Sequence, residues 1–290
     1  MRKILYYSCF LVLYANVVMS QDIPIDNSLL ESSSENFVEK VFPTIQVFNF
    51  PVTNVLKKGE MKLLLTHHMG MIGQGIDGMF GMYQANSRVG IDLGLTRNFT
   101  VGVGNTSRKK YFDGYLKYRF MKQSSKFPVE ISGFTSINYS PVLINLPDPV
   151  QESWQRIFYY NSLMISRSIN EAFSVQLSFS HIHQNLVNSS LDKNDIFCVG
   201  FTGNYKLTRM IYFACEYFYF PLNQIVSEDI NNHSLSVGIQ IHSGPRHVFQ
   251  IFLSNSESII PGTVIFENTN KLKMKNLRFC FNIPTTFRIF

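Results

Sequence analysis

Charge is scarce in this 290-residue chain: 16% of residues are Asp, Glu, Lys or Arg, and the formal net charge is +6. Two of the cations, Arg2 and Lys3, stand at the very start, and leaving them out lowers the excess to +4. So small and scattered a surplus argues against nucleic acid as a partner. Cysteine is almost missing too. Behind an early Cys9 there are only Cys198, Cys215 and Cys280, an odd number that speaks against a disulfide framework and leaves three inert thiols inside alternating segments. After residue 20 no apolar run reaches the roughly 20 residues that a helix needs to cross a bilayer. If the chain spans a membrane, it must do so with strands. Chemistry-bearing patterns are equally sparse. There is no Gly-x-Ser-x-Gly nucleophile motif. His67 and His68 are adjacent, so on a strand they point to opposite faces. His181 and His183 share a face, but no carboxylate or cysteine neighbour completes a metal site. The sequence therefore predicts no catalytic residue, no metal, no cofactor and no enzyme.

What the chain does have is apolar and aromatic residues, at 45% and 14%, enough to predict a folded protein. Residues 1–20 have the layout of a secretory signal: Arg2 and Lys3, an apolar core from Ile4 to Val18, then Val18-Met19-Ser20 before Gln21. An uncleaved anchor is the competing reading, and Tyr6, Tyr7, Tyr14 and Asn16 in so short a core weigh against it. Residues 21–42 are polar, as in Glu31-Ser32-Ser33-Ser34-Glu35-Asn36, and read as a mobile tether. From Thr44 to Phe50 the chain is apolar and extended until Pro51. That piece suits an extra strand, a plug in a lumen, or a segment packed under a barrel. Residues 21–58 are thus expected to be a periplasmic N-terminal tail carrying that plug or strand, and residues 59–290 the barrel.

Twelve segments then alternate apolar and polar residues with a period of two. They fall at 60–69, 86–96, 99–106, 111–121, 128–139, 156–167, 172–183, 195–205, 209–221, 233–243, 246–254 and 275–284. The clearest set Val89, Ile91, Leu93 and Leu95 against Arg88, Gly90, Asp92 and Gly94, and Phe173, Val175, Leu177 and Phe179 against Ser174, Gln176, Ser178 and Ser180. Their lengths suit tilted membrane strands of about 9–11 residues. The count is even, and the connections alternate long and short with one weak member, 107–110, as in antiparallel single-chain membrane barrels. A soluble sandwich shares the alternation but has no reason for the loop parity. Tyr118, Phe120, Tyr139, Phe158-Tyr159-Tyr160 and Tyr217-Phe218-Tyr219-Phe220 are expected to form an interfacial girdle. The predicted class is all-β, a closed antiparallel transmembrane β-barrel of about 12 strands.

The polar face supplies the candidate site residues, the lumen-facing charges Lys62, Arg88, Asp92, Asp113, Lys117, Arg119, Glu130, Glu216 and Arg278. The third segment presents only Thr100, Gly102 and Gly104 inward. Long side chains can reach across it, so Arg88 and Asp92 are placed to meet Asp113, Lys117 and Arg119. They form either an internal ion-pair network that satisfies sequestered charge or a charged constriction that selects solutes. A twelve-stranded barrel tilted by about 40° has a backbone diameter of roughly 24 Å, which inward side chains would narrow.

Leu56-Lys57-Lys58-Gly59-Glu60, Thr66-His67-His68-Met69-Gly70, Arg88-Val89-Gly90-Ile91-Asp92-Leu93-Gly94 and Phe112-Asp113-Gly114-Tyr115-Leu116-Lys117-Tyr118 carry a resemblance, supplemented by His247-Val248-Phe249-Gln250 with Asn255-Ser256. Over these stretches the chain resembles an uncharacterised family of bacterial outer-membrane β-barrel proteins, a domain of unknown function. The resemblance implies a barrel in the bacterial outer membrane, in contact with its lipid, and no catalytic residues. Barrels of this kind end on an aromatic in register with the lipid face, read by the barrel assembly machinery. Here Phe279, Phe281 and Ile283 put Phe287 and Ile289 in register and Phe290 out of it, and Pro284 is expected to interrupt the ladder. The leading functional expectation is a pore or binding barrel for small solutes. The alternative is a structural or adaptor barrel recruiting a partner through its outer loops or periplasmic tail, with a barrel hydrolase third.

Overall fold

A computed structural model describes residues 38, 40–76, 81, 82, 84–142, 152–187, 191–221, 224, 225, 230–244 and 246–289. The predicted leader and the tail through residue 37 lie outside the described residues. Twelve strands run β1 (Glu60–Met71), β2 (Asn86–Gly94), β3 (Phe99–Thr106), β4 (Phe112–Met121), β5 (Glu130–Tyr139) and β6 (Ile157–Ser168). They continue with β7 (Phe173–Gln184), β8 (Asp195–Lys206), β9 (Ile211–Tyr219), β10 (His233–His242), β11 (Val248–Ser254) and β12 (Arg278–Arg288). Each pairs antiparallel with its sequence neighbours, and β1 pairs with β12 to close the barrel, so no edge strand remains. The ends of the first eleven strands fall within two residues of the sequence expectation.

The period-two pattern becomes an inside and an outside. On β2 and β3 the outward Val89 and Val103 are 58% and 60% exposed, while Arg88, Asp92 and Thr100 are buried. Similar outward-facing residues, including Leu116, Leu163, Leu177, Phe197 and Ile251, make the outer wall predominantly apolar. Its apolar area far exceeds the few hundred Å² that a soluble monomer leaves open, and matches a face solvated by lipid. No helix among the described residues is long and apolar enough to cross a membrane.

One expectation needs correction and another is met on one side of its strand. Half of each aromatic run faces inward: Phe158, Tyr160, Phe218 and Phe220 are buried inside, whereas Tyr219 is exposed on the outer wall. Alternation divides any consecutive run between the two faces, so only alternate members can belong to a girdle. Pro284 breaks the ladder to β11, as expected, without opening the barrel. That ladder runs to Gln250 facing Asn282, lapses at Pro284, and resumes beyond it with the His247–Thr285 bridge and the bond from Thr286 N–H to Arg246 O. A proline supplies no N–H to the strand beside it, while on its other side Pro284 pairs with Leu64 of β1 and β12 runs on to Arg288.

The short connections, such as residues 169–172 and 207–210, lie at one end, called here the turn end; the longer ones lie at the loop end. Both chain termini of the barrel are at the turn end, as twelve strands require. The interior is not empty. Residues 41–56, just before β1, fold into it, and Val41, Phe42, Val47, Phe48 and Val52 pack there with Ala214, Phe252 and Cys280. From the loop end, the last long connection contributes a helix α1 (Pro261–Phe266) whose Val264 and Ile265 join Ile260 against Phe134, Phe158 and Tyr160.

Candidate functional site

The charged wall is built by β1 to β4. Lys62 pairs with Asp92 at 2.8 Å across the β1–β2 register. Arg88 on β2 reaches over β3 to Asp113 on β4, its Nε donating to Oδ1 at 2.9 Å and its Nη2 to Oδ2. That reach needs Gly104 on β3. A Cβ there would stand 2.3 Å from Arg88 Nη2, so any larger residue would push the guanidinium aside. Such a fork satisfies two buried charges at once, as burial demands.

The remaining candidates depart from the single network expected of them. Lys117 is 1% exposed and pairs with neither Asp92 nor Asp113. Its Nζ donates instead to the backbone carbonyls of Ile45, Val52 and Asn54 at 2.7, 2.9 and 3.0 Å. Glu216 on β9, also 1% exposed, mirrors it with opposite sign, accepting the backbone N–H groups of Phe48, Asn49 and Phe50 at 2.9, 3.0 and 3.2 Å. Arg119 sits at the turn end, bonded to Arg97 O and Asn98 Oδ1, with Nη1 3.8 Å from the buried Glu130. Arg278 on β12 leaves the wall network altogether and pairs with Glu257 of the last loop at 3.1 Å.

Lys117 and Glu216 therefore hold the inserted segment. That segment is itself a tight bend: Val47 N bonds Phe50 O, Val52 N bonds Ile45 O, and Gln46 bridges Pro51. Pro51 suits the position because its neighbours, not its own nitrogen, make the closing bonds. Around it the wall presents short polar side chains. Thr53 meets Ser166 at 2.5 Å and accepts from Ser132 at its carbonyl, Gln176 Oε1 takes Thr53 N–H, Asn49 donates to Ser236, and Asn282 donates to Phe48 O. Two aromatic stacks complete the seat, Phe48 on Phe252 and Phe50 on Phe218, with centroids 4.5 and 3.5 Å apart. Gly200 makes the second possible, since a Cβ on it would meet Phe218 Cε1 at 2.2 Å.

At the loop end the ion pairs fasten loop to wall. Glu257 takes Arg108 and Arg278, and Glu267 takes Lys109 at 2.9 Å together with the hydroxyls of Tyr111 and Ser258. Burial beside the Glu267 carboxylate pushes the Tyr111 hydroxyl well above the ordinary tyrosine range, so it stays a donor. Between the inserted segment and α1 a space of about 30 Å³ remains, bordered by Arg88, Asp92, Lys117 and Ile260. That is room for about one water. Beyond α1, cavities of about 370 and 210 Å³ open among the loops.

Sequence reasoning missed two features. His181 Nε2 and His183 Nδ1 both donate to Asp195 Oδ1 at 2.8 Å on the outer wall, so a carboxylate does stand beside them. It arrives through the β7–β8 register, which sets His183 opposite Asp195. The inner wall of β5 to β9 is also apolar towards the loop end, where Phe134, Phe158, Tyr160, Ile182, Ile196 and Phe218 cluster. The double-sided aromatic runs were the available signal for it.

Residues 42–287 match the family model described as Membrane bound beta barrel domain (DUF5777). No match was found among curated proteins. Among solved structures, the NanC porin is 8% identical over 78% of this chain and 98% of its own, with a TM-score of 0.49. The KdgM porin is 8% identical over 79% and 98%, with a TM-score of 0.47. An outer membrane channel from Pseudomonas putida F1 is 12% identical over 81% and 98%, with a TM-score of 0.47.

Proposed function

This chain belongs to the family of membrane-bound β-barrel domains, DUF5777, and from that premise we propose that it is a non-enzymatic pore for small solutes in a bacterial outer membrane, closed by its own residues 41–56. One observation carries the reading. Two buried long polar groups of the lumen, Lys117 and Glu216, spend their bonds on the backbone of residues 41–56 instead of on the wall. Three carbonyls and three N–H groups are generic partners that water can replace, so withdrawal leaves no wall ion pair broken. The wall closes through its own twelve ladders, none of which includes the segment, and the covalent link from the segment into β1 is the Lys57-Lys58-Gly59 turn. A barrel meant as a solid post would fill its lumen with wall side chains. The loop parity supports placing the turn end, and so the segment's attachment, on the periplasmic side.

Planar-bilayer conductance tests the proposal. The full chain should give rare or brief openings, and a variant lacking residues 41–56 should open often and for long. Silence from both in every salt would overturn it. A second reading, an adaptor barrel recruiting a partner through the tail, draws on the polar composition of residues 21–42. In-cell crosslinking from that stretch that captures nothing would count against it.

A further inference from the structure

The larger of the two loop-end cavities has the chemistry of a ligand site, and we propose that it binds a small carboxylate carrying an aromatic ring. Its volume of about 370 Å³ lies within the ~300–1,000 Å³ range of small-molecule sites. One wall is aromatic: Phe158 stands edge-on to both Tyr111 and Phe266, with centroids 5.7 and 5.0 Å apart, and all three line the cavity. A fourth ring entering in the same edge-to-face manner would extend that cluster. The polar wall is cationic. Lys109 and Arg156 line it, and Glu267 is the one carboxylate among the described lining residues. Glu267 is already committed to Lys109, Tyr111 and Ser258.

Arg156 differs from Lys109. It donates to Pro141 O at 2.8 Å and Ser153 Oγ at 3.2 Å, and its guanidinium stands 5.3 Å from the Tyr139 ring. Nη1 and Nη2 each use one of their two N–H groups in these bonds to described residues, whereas Nε is enclosed by protein. A guanidinium oriented by neutral partners, with a donor to spare, suits a carboxylate. The ring would rest on Phe158 and Phe266 while the acid turns to Arg156. This names a solute class for the pore proposed above and rests on that reading for its purpose, but binding is measured with no conduction involved.

Trp154, the only tryptophan of the chain, is half exposed and lies two residues before Arg156, beside the cavity wall rather than in it, so its fluorescence follows changes at Arg156. The detergent-solubilised full chain is titrated with phenylacetate, phenylacetamide and acetate while Trp154 fluorescence is followed. Phenylacetate should bind at least tenfold more tightly than either of the others. Arg156→Gln should abolish the preference for acid over amide, Arg156→Lys should retain part of it, and Phe266→Ala should weaken the acid without altering that preference. A compact band in cold detergent verifies that each variant is folded. Equal binding of acid and amide, or an unchanged preference in Arg156→Gln, would overturn the proposal; a silent bilayer with intact phenylacetate binding would overturn only the pore.

Discussion

At the scale of single residues, two kinds of buried charge do different work. Arg88 and Asp113 satisfy each other across β3, so removing one strands the other inside the wall. Asp113→Ala is expected to destabilise the barrel by about 3 kcal/mol, read as a lower urea midpoint for unfolding from detergent micelles or vesicles. Glu216 instead holds a separate piece of chain. In Glu216→Gln one acceptor oxygen becomes an NH₂ facing N–H groups, at a cost of about 1–3 kcal/mol to the seat of the segment. Wall stability should hardly change, while added protease should cut within residues 41–56 faster than in the parent; equal cutting would show that Glu216 does not retain the segment. The inward placement of these groups was legible from alternation alone, because a strand has only two faces. Their partners were not. Glu216 meets residues 166 to 168 positions away, and no local spacing encodes such a meeting. Asp195 escaped notice beside His181 and His183 for the same reason, since register is a property of two strands.

At the scale of elements, strands and connections were readable because period, length and loop parity each report on the barrel independently. Residues 44–56 were not. Their apolar run ending in Pro51 suits several sites equally, and only the polar inner faces of β5, β7, β9 and β12 decide where it rests. The wall's closure does not depend on this segment, because every strand has both neighbours. Excising residues 41–56 should therefore leave a barrel that migrates compactly in cold detergent and shifts on boiling. Loss of that shift would mean that the segment is part of the folding core. The last long loop is tied differently, through Glu267 to Lys109, Tyr111 and Ser258. Glu267→Ala should free α1 at its C-terminal end and speed amide exchange over residues 262–266, with the twelve ladders still protected; unchanged exchange there would show that apolar packing of Val264 and Ile265 alone holds the helix.

At the scale of the whole molecule, a wall solvated by lipid surrounds a lumen that two inserted pieces fill from opposite ends, one of them gripped chiefly through its backbone. The central claim is that this grip is what keeps a solute path shut. Thr53 and Ser166 face each other at 2.5 Å, close enough for a disulfide to form between cysteines with little backbone movement. The decisive measurement is single-channel conductance of Thr53→Cys/Ser166→Cys, oxidised and then reduced in the same bilayer, with each single variant as control. Openings should vanish on oxidation and return on reduction in the double variant alone; openings of the same size and frequency in both states would contradict the claim.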